Sequence, residues 1–214
     1  LMALPVIDAD GVMKGIVTFD DVATAIQKEA TEDIQKFGGV ESLEAPYFNL
    51  SFQQMFRKRG GWLIVLFFGE MLTTTAIGYY QLEIERAVVL TFFLPLIIAS
   101  GGNSGSQAST LIIRALALGE VRLKDWWRVL GKEVVMGLCL GLLLGTVGLC
   151  RILFWPSSET LYGPHYAAIG YTVFFTLIFV VGYGSVTGSM LPFILKRINF
   201  DPASASAPFV ATLV

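Results

Sequence analysis

Histidine occurs once among the 214 residues, at position 165, and cysteine only twice, at positions 139 and 150. The cysteines stand eleven positions apart in one apolar segment (150 − 139 = 11). On a helix that separation is roughly 16 Å of rise, too far for a disulfide, and no other metal-ligating side chain stands near them. They read as small buried hydrophobes. Charge is scarce as well. Only 15% of residues are charged against 54% hydrophobic, with a mean hydropathy of +0.66, which is more apolar than soluble domains usually are. No secretory signal precedes the first charged region. No basic stretch interleaved with aromatics is present to track a phosphate backbone, which excludes nucleic acid as a partner. No nucleophile–base pair, no HExxH and no phosphate-cradling loop occurs, so the chain does not read as an enzyme.

What the sequence has in quantity is long apolar runs. Trp62–Leu82, Ala87 to about Leu118, Glu133–Trp155 and Tyr166–Leu195 each supply the roughly 20 apolar residues that a membrane helix needs. A fifth run begins near Ala203 and reaches Val214 without the length to cross, so the expected helix is cut short there. Lys and Arg near span ends set orientation. Arg57, Lys58, Arg59, Arg114, Arg122, Lys124, Arg128, Lys132, Lys196 and Arg197 collect on one side, and only Arg86 and Arg151 on the other. The basic side is therefore expected in the cytoplasm, with the N-terminus, and the loop around Pro156–His165 outside. Trp62, Trp126, Trp127 and Trp155 fall near the expected membrane edges, where an indole is amphipathic enough to rest, and His165 reads as an interface residue.

The first fifty residues are of another kind. Asp8, Asp10, Asp20, Asp21, Glu29, Glu32, Asp33, Glu41 and Glu44 outnumber Lys14, Lys28 and Lys36. Leu4–Asp8 and Lys14–Thr18 read as two short strands about an Asp10-Gly11 turn. Asp20-Asp21 then stands where a cap belongs, opening a helix over Val22–Lys28. The run LPVIDADGVMKGIVTFDDV, in the order strand, turn, strand, helix, resembles the end of a CBS domain, too small a piece to form its own core. Beyond it Glu29, Glu32 and Asp33 stand at i, i+3 and i+4, three carboxylates on one helix face. Such a face is either simply solvated or asks for a cation. Capping alone accounts for Asp20 and Asp21.

Two membrane runs are interrupted by small and polar residues. The second contains Pro95 and then ASGGNSGSQ, residues 99–107; the fourth contains GYGSVTGS, residues 182–189, followed by Pro192. Polar groups exposed in hydrocarbon cost several kcal/mol each, so these runs face protein or a watery cavity. Pro95 frees the carbonyl of Thr91, and glycines present carbonyls without a side-chain shield. Close helix packing is the alternative, and it accounts for Gly137, Gly141, Gly145 and Gly148 on the third run. It accounts for less of Asn103 and Gln107, whose amides need partners. Glu70 is the one carboxylate deep in a span. At a cost of about 3 kcal/mol or more it faces the interior or a cavity, or is protonated.

PLIIASGGNSGSQASTLIIRALALGEV, KEVVMGLCLGLLLG and LPFILKRINFDPASASAPFVATLV together closely resemble the MgtE family of magnesium channels, and QKEATEDIQKFGG resembles that family's connecting, or plug, helix. The resemblance covers essentially the whole chain. It implies residues 1–28 as the end of a CBS domain, 29–56 as the connecting helix, and 57–214 as a five-helix transmembrane ion-channel domain. The fold class is then an α-helical integral membrane protein with a small α/β cytoplasmic remnant, in the plasma (inner) membrane. It further implies a homodimer in lipid, with an ion path between the second and fifth helices of both subunits. A hydrated Mg²⁺ would be held there by carbonyls in the Gly101, Gly102, Asn103, Gly105 stretch and at Ala211, near Gln107. An aspartate is expected just beyond Val214. Asp20, Asp21, Glu29, Glu32, Asp33 and Asp201 match family acids that bind cytosolic Mg²⁺ and close the channel. Some relatives carry Asn where Ala207 stands. No organic cofactor is implied, and nucleotide is expected only at the CBS parts. A secondary divalent-cation exchanger and a CBS-regulated membrane protein without a pore are the alternatives.

Overall fold

The computed structural model describes residues 3–43 and 45–214. Strand β1 (Ala3–Ile7) pairs antiparallel with β2 (Met13–Thr18), with a register shift between Val6 and Ile7. The turn is organised by Asp8, whose carboxylate accepts from the Asp10 amide at 3.1 Å and the Val12 amide at 2.8 Å. Gly11 takes the left-handed conformation there, φ +79°.

Helix α1 (Phe19–Phe37) follows at once. The cap is Thr18, not the expected Asp20-Asp21 pair. Thr18 Oγ1 accepts from the Asp21 amide at 3.2 Å, and the Asp21 carboxylate accepts from the Thr18 amide at 2.8 Å. Asp21 thus sits at the third helical position of a reciprocal capping box. The helix then runs unbroken past Lys28 through Glu29, Glu32 and Asp33, well beyond the expected Val22–Lys28.

Among the described residues four stretches are long and apolar enough to cross a membrane: Phe52–Tyr79, Val88–Ala117, Leu123–Leu153 and Tyr166–Arg197. Helix α2 (Phe52–Tyr79) starts ten residues before Trp62 (62 − 52 = 10), because Ser51 and Gln54 close a second capping box. After the short α3 (Gln81–Arg86), a 3₁₀ stretch over Val88–Phe93 passes into α4 (Leu94–Ala117). Pro95 lies in the first turn of α4, where its missing N–H costs nothing, and the Thr91 carbonyl is taken by the Leu94 amide. Helix α5 (Trp126–Leu153), the short α6 (Ser158–Tyr162) and α7 (Tyr166–Arg197) follow. A 3₁₀ turn at Pro202–Ser204 leads to α8 (Ala207–Leu213).

Helix α7 is the hub, packed against α5 on one side and α4 on the other. Without a hydrophobic drive between helices in lipid, such contacts depend on small residues that let backbones approach. Glycines supply them. A Cβ on Gly137 would lie 2.9 Å from Gly182 Cα, on Gly141 2.7 Å from Ile178 Cα, and on Gly145 2.9 Å from the Phe174 carbonyl oxygen, all tighter than real Cβ contacts. On the other side Gly184 and Gly188 press against the carbonyls of Gly101 and Gly105, with no room for a Cβ. Apolar clusters close the two ends of the bundle. Ile152, Tyr162, Val173 and Leu177 pack at one, and Ile112, Leu116 and Phe193 at the other.

The cysteines correct their expected burial: Cys139 and Cys150 are free and exposed. α5 spends its glycine face on α7, and the cysteines stand off that face, where a bilayer would meet them. Helix α2 meets the rest of the bundle chiefly through α8. Gly69 sits against Thr212, and Trp62 packs on Phe209 with ring centroids 5.8 Å apart.

Candidate functional site

Helix α4 has two opposite faces. Gly101, Gly105, Ala108, Ile112 and Leu116 form one, buried against α7 and α8. Buried hydroxyls tie this side down. Ser104 Oγ lies 2.7 Å from Ser185 Oγ, Ser109 Oγ donates to the Ala205 carbonyl at 3.1 Å, and Ser106 Oγ to the Ala207 carbonyl at 3.1 Å. Ser100, Asn103, Gln107, Thr110 and Arg114 recur at alternating spacings of three and four, so they form one polar stripe along the other face. Asn103, Gln107, Thr110 and Arg114 are exposed, and Ser100 is half-buried. Ser100 and Thr110 return their hydroxyls to the Leu96 and Ser106 carbonyls at 2.7 Å. The amides of Asn103 and Gln107 are exposed on the outer surface of the chain.

The expected ion-path residues therefore divide. Asn103 and Gln107 lie on the outward stripe. The carbonyls of Gly101 and Gly105 abut α7. Gly102 faces α8, where its Cβ would lie 3.2 Å from Ala211 Cβ, and Ala211 itself is exposed beside the stripe. Glu70 is exposed on α2, not turned into the helix bundle, and makes no ion pair among the described residues. An apolar α2 that touches its own bundle so sparingly has no interior to offer that carboxylate.

A second cluster forms where the end of α1 rests on the turn between α7 and α8. Lys36 Nζ is 2.7 Å from Glu32 and 2.6 Å from Asp201. Asp201 is held by the turn itself, accepting from the Ala203 amide at 2.9 Å. Lys58 donates to the Ser42 carbonyl, fastening the segment after α1 to α2, and Trp62 Nε1 donates to Ser206 Oγ at 3.3 Å, fastening α2 to the cap of α8. Asp33 is beside this group. Burial, then the charges of Asp201 and Glu29, push its carboxyl up. Burial also raises Asp201, but the Lys36 ammonium and the Ala203 amide outweigh it and hold Asp201 down overall, while the same contacts hold Lys36 protonated. So the structure brings Glu29, Glu32, Asp33 and Asp201 to one junction. Asp20 and Asp21 lie at the far end of α1, roughly 24 Å along its axis from Lys36. Among the described residues no set of three or more His, Cys, Asp or Glu is closed tightly enough to hold a metal. Lys36 supplies the positive charge instead, and sequence reading missed it, since nothing local links positions 36 and 201.

The signs give a pH test of this junction. The depressed Asp201 contributes docking stability that is full above its unfolded value near 3.9 and is lost as pH falls through its lower folded value. The raised Asp33 opposes docking while ionised, and that opposition disappears as pH falls through its raised value. Spin labels at Lys28 and Asn199 should show α1 tightening as pH falls through the raised Asp33 value and releasing only in stronger acid, as Asp201 is protonated. Lys36→Met should broaden the distance distribution already at neutral pH, and an unchanged distribution would remove Lys36 from this role.

Four membrane-length helices among the described residues, three of them packed together on glycine faces and one of these carrying an outward polar stripe, define a multi-pass helical membrane protein. Residues 94–214 match the family model of MgtE, described as a divalent cation transporter. The chain is 38% identical over 210 residues to the magnesium transporter MgtE of Thermus thermophilus, covering 98% of this chain and 45% of that protein. Against the magnesium transporter MgtE of Enterococcus faecalis it is 31% identical over 212 residues, 99% of this chain and 44% of the relative. Against that of Bacillus subtilis it is 28% identical over 212 residues, 99% of this chain and 45% of the relative. The chain belongs to the MgtE family and spans less than half the length of these relatives.

Proposed function

We propose that this chain is the membrane portion of a Mg²⁺ transporter of the channel type, importing the ion through a path shared by two copies. The observation that carries the reading is the polar stripe of α4, which leaves the protomer at membrane depth. Unpaired amides facing hydrocarbon are costly, so Asn103 and Gln107 belong against a second copy and a watery path. Gly102 and Ala211 flank that wall. Mg²⁺ dehydrates reluctantly and keeps several waters, and amide and carbonyl oxygens around a wide path suit a hydrated ion better than a tight cage would. The relatives named as magnesium transporters support the same cargo.

Glu29, Glu32, Asp33 and Asp201 then form one site of a cytosolic Mg²⁺ sensor that favours the closed path, with Asp20 and Asp21 as a separate site at the far end of α1. A cation at the junction of α1 with the α7–α8 turn offsets the burial of Asp33 and its repulsion by Asp201 and Glu29, which together raise its carboxyl. Binding shifts a closed–open equilibrium only by its greater affinity for the closed state. In this reading the junction and the N-terminus lie in the cytoplasm and the helices cross the inner membrane; the basic span ends support that orientation.

The full-length protein in liposomes with a Mg²⁺-sensitive dye inside should take up Mg²⁺ along a membrane potential with no counter-ion. Strict dependence on a counter-ion gradient would show an exchanger, and no uptake at all would remove the transport reading. In patch recordings, neutralising Glu29, Glu32 and Asp33 together should leave conductance intact and keep the channel open at high internal Mg²⁺. Normal closure by that variant would remove the sensor.

A further inference from the structure

A groove of about 540 Å³ opens where the start of α5 meets the end of α7, at the basic end of the bundle and apart from both the α4 stripe and the α1 junction. Its volume lies within the roughly 300–1,000 Å³ usual for ligand clefts. The walls are Trp126, Met190, Phe193 and Ile194, and Lys124 and Arg197 stand over them. Phe193 is buried and closes the floor with Ile112 and Leu116. Trp126 and Ile194 are exposed. Among the described residues that line the groove none is acidic, and neither Lys124 nor Arg197 forms an ion pair. The acid next in sequence, Asp125, already accepts from the Arg122 amide at 3.0 Å.

A slot that is apolar along a membrane helix and doubly cationic at its mouth matches one ligand chemistry. The structure assigns this groove to an anionic phospholipid, its phosphate on Lys124 and Arg197 and the upper part of an acyl chain against Met190, Phe193 and Ile194. Trp126 sits at the level where headgroup and chain meet, as interfacial indoles do. Basic pockets between transmembrane helices bind anionic headgroups, and each cation near the surface contributes about 1 kcal/mol, or about fivefold in affinity. A soluble phosphate would gain from the two cations alone and leave the apolar wall unused. The groove joins the α5 entry to the end of α7, so a bound lipid holds these two ends together.

The test uses the full-length protein in nanodiscs of phosphatidylcholine doped with chain-brominated phosphatidylglycerol, read by quenching of tryptophan fluorescence. The part of the quenching that disappears in Trp126→Phe should exceed what an equal mole fraction of brominated phosphatidylcholine produces. Lys124→Gln and Arg197→Gln should each weaken the apparent affinity about fivefold, and the double variant about thirtyfold. Soluble glycerol phosphate in excess should not relieve the quenching. Equal quenching by both brominated lipids, an unchanged double variant, or displacement by glycerol phosphate would each overturn the assignment. Circular dichroism of the variants shows whether they remain folded. If the double variant does not, titrating wild-type protein with brominated phosphatidylglycerol against brominated phosphatidylcholine decides on its own.

Discussion

Gly188→Ala should cost at least about 3 kcal/mol and leave little folded protein in detergent. The position meets backbone: a Cβ there runs into the carbonyl group and Cα of Gly105. A flexible side chain could swing aside, whereas a helix backbone can only shift as a whole. Relief would move α7 away from α4 along its length, opening the Ser104–Ser185 contact of 2.7 Å and the contact of Gly184 with the Gly101 carbonyl. Gly131→Ala is the matched control. Nothing lies within 4 Å of a Cβ there, and alanine's better helix propensity should be neutral or favourable by up to about 1 kcal/mol. Thermal unfolding of the two variants in the same detergent checks the pair. Similar midpoints would mean that the α4–α7 approach is looser than its glycines imply.

Asn103→Leu should abolish Mg²⁺ uptake by the full-length protein while leaving expression and thermal stability close to wild type. The side chain is exposed on the outward face of α4 and sits opposite the glycines that pack on α7, so its loss takes nothing from the folded protomer. Leucine is also a strong helix former and costs nothing against lipid or an apolar neighbour. What it removes is an amide from a path where oxygen atoms and their waters must accompany the ion. Gln107→Leu, one turn along the same stripe, should act in the same direction. Dye-reported uptake in liposomes, with protein incorporation measured in parallel, separates transport from folding. Uptake at the wild-type rate by Asn103→Leu would place the path elsewhere.

The membrane helices were legible because length and apolar content are local properties. Their starts were less so: the Ser51–Gln54 capping box lay in plain view, yet the apolar run alone set the boundary at Trp62. Thr18 was missed for a related reason, since Asp20-Asp21 offered an obvious acid and the hydroxyl one step earlier holds the cap. The glycines of α5 were readable as packing residues from their recurrence at spacings of four and three along one apolar run. Those of α4 were not divisible by inspection, because Gly101, Gly102 and Gly105 differ only in which neighbour lies over them, and that depends on α7 and α8, seventy or more residues away in sequence. The cysteines were misjudged because burial in a membrane helix follows the face, and hydrophobicity does not report the face. Lys36 with Asp201, 165 positions apart, is a pairing that only the folded chain can specify.

Helix α2 is made before α4, α5 and α7, yet its main contacts are with α8, which follows all three. Trp62 and its hydrogen-bond partner Ser206 are 144 residues apart. At synthesis rates of about 5–20 residues per second, roughly 7–30 s pass between the appearance of the two. During that interval α4, α5 and α7 can assemble on their glycine faces while α2 waits in lipid, held by the chain alone. Biogenesis thus leaves a defined window in which a chaperone, an insertase or the α2 of a neighbouring nascent chain can occupy its surface, and docking of α2 waits until α8 has been made.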